Sequence, residues 1–204
     1  MSATPADIEV PLRPLSALQK LTIAFGSVAM GAGMTINFVV VAPLARKAGL
    51  TEIEVAGILV FSAVIYALMI PQWGRWADRF GRKRVMVFSL FAMGSTNMIF
   101  LFALQAALAG LVTGLSTFFL LVFTRLFFGL LSPGLQPASM AAMTDATTPD
   151  TRAGGLGMLG AAMALGSILG PAGASVLAEF GELAPIWGSI IFCAFAGLVI
   201  GFTL

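Results

Sequence analysis

Histidine is absent from this chain, and cysteine occurs once, at Cys193 inside an apolar run. No disulfide framework can form, and no ligand set exists for a zinc, haem or iron–sulfur centre. We therefore expect no metal and no cofactor. Charge is the second shortage. Only 10% of the 204 residues are charged while 59% are hydrophobic, and mean hydropathy is +1.00. A water-facing surface needs about a quarter of charged residues, so the solvent of this chain is lipid, its first expected partner. The same balance excludes a disordered chain. The net charge of +2 does not indicate nucleic acid, because the cations gather at the ends of apolar runs. No pairing of a nucleophile with a base is present, so an enzyme is not expected. Nor does the beginning of the chain read as a cleavable signal. Asp7 and Glu9 interrupt it, and the apolar run begins only at Leu21 and is too long for a signal core. Residues 1–20 are taken as a cytoplasmic segment.

What is present is a series of long apolar runs. A helix crosses the hydrocarbon core with about 20 residues. The sequence predicts spans at 21–44, 55–73, 85–109, 114–144, 153–178 and 183–204. The stretch from Val85 to Thr144 carries one charge, Arg125, and is long enough for two crossings with a turn at Gly110 to Gly114. Lipid offers the backbone no hydrogen bonds, so the fold class is an all-α membrane bundle. With the N-terminus inside, eight cations fall on the cytoplasmic side: Arg13, Lys20, Arg75, Arg79, Arg82, Lys83, Arg84 and Arg152. Arg46 and Lys47 fall outside. This bias predicts that both ends are cytoplasmic. Small residues recur four apart, at Ser27 and Gly31, Gly166 and Gly170, and Gly197 and Gly201, as close helix packing in lipid requires.

The loop after span 2 reads Gly74-Arg-Trp-Ala-Asp78-Arg79-Phe-Gly81-Arg82-Lys83. Gly81 supplies the positive φ that a tight turn needs, and Gly74 is expected to let the end of span 2 approach a neighbour closely. Asp78 lies alone among cations and is expected to be paired. Cations here would also serve as plain topological anchors, but the ordered spacing is more specific than that. The loop closely resembles the signature between helices 2 and 3 of the major facilitator superfamily, with Trp76 at a usual leucine.

Two further stretches carry the resemblance. Span 4 holds Arg125, Gly129, Pro133 and Pro137 and ends at Asp145, similar to the helix-4 motif whose buried arginine is linked with proton coupling. Span 5 holds Gly157, Gly166 and Gly170-Pro171, similar to the helix-5 antiporter motif, with Ala174-Ser175 in place of a glycine pair. The resemblance implies two inverted three-helix repeats forming the N-terminal half of a twelve-helix fold. We accordingly expect a fragment whose partner is the missing C-terminal half, although a half-size dimer is an alternative.

The resemblance also implies a cavity lined by spans 1, 2, 4 and 5. Met30, Met34 and Asn37 share a face of span 1, Tyr66 is the one tyrosine, and Leu121, Arg125, Phe128 and Ser132 share a face of span 4. Such a cavity suits a small organic substrate, because thioether and aromatic groups adapt to many shapes. A mid-membrane arginine must face protein or water and have a partner. None of the nine acids lies within a span, and Asn37 stands where related drug exporters carry an acid. Asp78, Arg79 or Arg82, Asp145 and Arg152 are expected to gather at the cytoplasmic end as a gate. The expected function is proton-gradient-driven export of small organic molecules across a bacterial inner membrane. A nutrient symporter or facilitator, and a six-helix scaffold, are the competing readings.

Overall fold

The computed structural model describes residues 14–204, so Asp7, Glu9 and Arg13 lie outside the described residues. The chain forms seven helices: α1 (Ala17–Lys47), α2 (Glu52–Phe80), α3 (Arg82–Leu108), α4 (Leu115–Leu131), α5 (Leu135–Asp145), α6 (Pro149–Ala178) and α7 (Ala184–Thr203). Taken with α4 and α5 as one broken crossing, six are long and apolar enough to span a bilayer.

The helices outrun the apolar stretches that predict them. The apolar core of span 2 stops at Trp73, yet α2 continues through the charged residues to Phe80. Charge opposes burial in lipid but not helix formation, so what stops the helix is Gly81 at φ +95°. At the other end, Thr51 and Glu54 cap α2 reciprocally, as Ser16 and Gln19 cap α1. The span predicted at 114–144 is present as one crossing, Leu115–Asp145, but it is broken between Leu131 and Leu135. Pro133 lacks the N–H that would continue the ladder and clashes with the preceding turn. Gly134 then lets α5 press against Trp73 of α2 and Val85 of α3, where an added Cβ would lie 2.7 and 2.8 Å from their side chains. The expected turn at Gly110 to Gly114 is present, both glycines having positive φ.

Pairing follows the inverted repeat. α1 packs chiefly on α6, α2 on α4 and α3 on α7. Exchanging spans 1 to 3 with spans 4 to 6 interchanges the first two pairs and maps the third on itself. The α1–α6 contact is the closest. Gly166 lies on the Val28 carbonyl, Gly31 on the Met163 carbonyl, and a Cβ at Gly170 would lie 2.8 Å from the Ala32 carbonyl oxygen. Backbone meets backbone there, and dispersion replaces the hydrophobic drive that lipid does not supply.

Two apolar clusters fill the interior. One is built on Ile23, Trp73, Met86 and Ile200, the other on Val41, Ile58, Phe100 and Ile186. Between them lies a layer of buried polar side chains, one or more from each central helix: Asn37, Ser62, Asn97, Arg125 and Ser189. Arg125 is ten positions past the start of α4, roughly 15 Å along the axis, which is mid-bilayer.

Candidate functional site

Arg125 organises the polar layer. It is 3% exposed. Its Nη2 donates to Asn37 Oδ1 at 3.0 Å, and its Nη1 reaches Asn97 Oδ1 at 3.5 Å. The guanidinium carbon lies 3.6 Å from the Phe100 ring centroid and 5.5 Å from that of Phe128. Its Nε is buried without a partner among the described residues. The amides are themselves held: Asn37 Nδ2 donates to Gly33 O at 2.6 Å, and Asn97 Nδ2 to Ser189 Oγ at 3.4 Å. Four helices thus fix one cation, using side-chain amides and a ring face rather than a carboxylate. A π-face attracts a cation most strongly when water is excluded, and this is how a charge is tolerated without a counter-ion.

A cavity of about 100 Å³ opens beside this cation, lined by Met34, Asn37, Ser62, Tyr66, Arg125 and Phe128 among others. Tyr66 and Phe128 form a stacked wall, centroids 6.0 Å apart and planes at 26°. Sites for organic ligands occupy roughly 300–1,000 Å³, so this cavity alone is smaller than such a site. Of the cavity residues expected from sequence, Met30 is placed elsewhere. It lines a separate cleft with Ser27, Gln136 and Met163, between α1, α5 and α6. Met30 lies about 6 Å along the helix axis from Met34, at the depth of α5 rather than α4. Ser132 is buried with its hydroxyl unpartnered and does not line the cavity.

The loop between α2 and α3 makes the second cluster. Arg82 donates from Nη2 to Asp78 Oδ1 at 3.2 Å, forms an ion pair with Asp145, and donates to Ala141 O at 2.6 Å. One guanidinium therefore ties the end of α2, the start of α3 and the end of α5. A planar fork with several donors suits this better than an ammonium would. Arg79 instead lies over the Phe80 ring, 5.5 Å from its centroid. Lys83 and Arg152 are exposed and form no ion pair among the described residues.

The glycines divide by geometry. Gly74 does not make the close approach expected of it: an added Cβ would meet Pro137 at an ordinary 3.8 Å. Gly157 faces open space, whereas Gly166 and Gly170 sit against α1. Pro171 lines an outer cleft with Pro43 and Ala174. Sequence reasoning missed Asn97, Phe100 and Ser189. Asparagine in an otherwise apolar span was the available signal for Asn97, and nothing local marked Phe100.

A model of the Major Facilitator Superfamily matches residues 23–204, and the chain belongs to that family, whose members are transporters rather than enzymes. It is 33% identical over 132 residues to "Multidrug resistance protein 2" of Bacillus subtilis, covering 64% of this chain and 30% of that protein. It is 29% identical over 187 residues to "Multidrug resistance protein 1" of the same organism, covering 92% and 43%. A "Probable triacylglyceride transporter" of Mycobacterium bovis is 32% identical over 161 residues, covering 75% and 29%. The chain thus spans less than half the length of these relatives.

Proposed function

We propose that this chain forms one half of a proton-driven exporter of small amphipathic organic molecules, working by alternating access in a bacterial inner membrane. The observation that carries the reading is the cavity beside Arg125, where thioether and aromatic walls meet one fixed cation at mid-bilayer. Apolar walls admit varied shapes, and the cation orients or charges what enters. Relatives named for multidrug resistance support the substrate class. Both chain ends are proposed to be cytoplasmic, from the cation bias. The proposed partner is a second six-helix half that completes the chamber. It would cover α2 and α6, which are the least buried spans and expose Val64 and Leu68 on α2 and Ile168 and Leu169 on α6.

Arg125 does not itself carry the proton, because arginine stays protonated. The carrier is proposed to be a carboxylate of the second half or of the substrate, its pKa lowered by the nearby cation. Import by symport is the second reading, favoured by the neutral Asn37 on α1 beside Arg125. Everted vesicles carrying the whole transporter and energised acid-inside separate the two. Export requires protonophore-sensitive accumulation of a lipophilic dye in them. Accumulation only in right-side-out vesicles would establish import instead.

A further inference from the structure

A second site lies away from the cavity, where α2 ends and α3 begins. Trp73, Trp76 and Phe80 recur at i, i+3 and i+7 on α2 and face Arg84, Val85 and Phe88 of α3 across a groove of about 490 Å³. Trp73 stacks on Phe88 with centroids 5.4 Å apart, and meets Trp76 edge-on at 4.7 Å. Trp73 is locked inward by donating its indole N–H to Leu130 O at 2.8 Å. The groove is thus a rigid aromatic wall running about 10 Å along the helix axis, with Arg84 at its lip.

Charge around this lip is in excess. Among the described residues Arg82 is committed to Asp78 and Asp145, whereas Arg79, Lys83 and Arg84 enter no ion pair. All three are exposed. Tryptophan sits at the headgroup level of a bilayer, and arginine clusters beside a span attract anionic headgroups. Another lipid-sized groove, of about 460 Å³ between α2 and α4, is lined by Phe61, Phe119, Phe123 and aliphatic residues without a cation. It offers nothing that selects a headgroup. The contrast lies in the arginine, not in the apolar surface.

We propose that the α2–α3 groove is a binding site for an anionic phospholipid, its acyl chain against Trp73, Trp76 and Phe88 and its phosphate on Arg84 and Arg79. The chain's own bilayer supplies this ligand. Bound there, the lipid lies beside Arg82 and braces the loop that joins α2 to α3.

The site carries its own reporter, because Trp73 and Trp76 are two of only three tryptophans in this sequence. The protein as its cell makes it is purified in a Trp187→Phe background and titrated with dibrominated phosphatidylglycerol or dibrominated phosphatidylcholine. In that background the whole tryptophan signal comes from Trp73 and Trp76, so the quenched component belongs to the groove. That component should reach half-saturation at a roughly ten- to thirtyfold lower mole fraction of phosphatidylglycerol, as one to two cations' worth of surface attraction predicts. In Arg79→Gln/Arg84→Gln the preference should fall to within about twofold. It should persist in Arg84→Lys, which keeps the charge, and in Lys20→Gln, a cation away from the groove. Equal quenching by both lipids in the parent protein overturns the proposal. So does a tenfold preference that survives in Arg79→Gln/Arg84→Gln.

Discussion

Arg125 on α4 donates to Asn37 on α1 at 3.0 Å across the middle of the bundle. The pair joins a fixed charge to a group that cannot titrate, so this half holds its cation unchanged across the physiological pH range. On the proposed proton coupling, the protonation step lies with a group that approaches Arg125 from outside this chain.

Removing the cation therefore acts on that approaching group. In the whole transporter, Arg125→Ala should lower transport by about ten- to a hundredfold, the range of a typical coupling between sites. It should also displace the pH profile of transport to higher pH, because a carboxylate without its cation keeps its proton longer. Arg125→Lys should retain part of the activity, since charge remains while the planar fork is lost. A pH profile in Arg125→Ala that superimposes on the parent's would leave Arg125 a purely structural role.

Where α2, α3 and α5 meet, Asp78 and Asp145 share one partner, Arg82. Asp78→Asn should abolish transport with near-normal expression. Because one guanidinium holds both carboxylates at once, the Asp78→Asn and Asp145→Asn effects on transport should be strongly non-additive. Unfolding temperature should move little, since exposed ion pairs contribute about 1 kcal/mol or less. Normal transport in Asp78→Asn would remove the gating role.

Gly166 and Gly157 test packing on a single helix. Gly166→Ala drives a methyl into the Val28 carbonyl and should destabilise the bundle by about 1–3 kcal/mol, as overpacking does. Gly157→Ala enters open space and should be neutral or stabilise by up to about 1 kcal/mol through helix propensity. Thermal unfolding in detergent distinguishes them. Equal shifts for the two would show that α6 does not press on α1.

The α2 cap gives a pH dependence outside the membrane. Thr51 donates to Glu54 through its backbone N–H and its hydroxyl, holding that carboxyl below its ordinary 4.5. A lowered folded-state pKa contributes stability that is complete above the unfolded value and is lost as pH falls through the folded one. Amide protection, corrected for the intrinsic exchange rate, should therefore fall at the start of α2 below about pH 4.5, and Glu54→Gln, which has no charge to lose, should flatten that dependence. A Glu54→Gln profile identical to the parent's would show that the Glu54 carboxylate does not hold the helix end.

Much of this architecture is readable one segment at a time. Six crossings, their cation bias and the turn at Gly81 depend on hydropathy, charge and backbone freedom within a few residues of each position. The all-α class follows because lipid leaves the backbone no other partner. Even Arg125 was visible, as a charge in an apolar run. The break near Pro133 is chemically marked, yet proline alone does not predict it, because prolines within Ala17–Lys47, Glu52–Phe80 and Pro149–Ala178 leave those helices unbroken.

What only the tertiary structure decided is which side chains meet. Asn97 and Phe100 lie about 25 positions from Arg125 in sequence, and Asn37 lies 88 away. Whether they converge depends on the depth and rotation of three separate helices. One turn of depth was enough to send Met30 to α5 and Met34 to α4. Gly157 and Gly166 were equivalent as letters and became opposite as positions, because only one faces the backbone of α1. Local chemistry sets which segments cross the membrane, whereas the interdigitation of their surfaces sets the rotation of each helix and so the composition of the site.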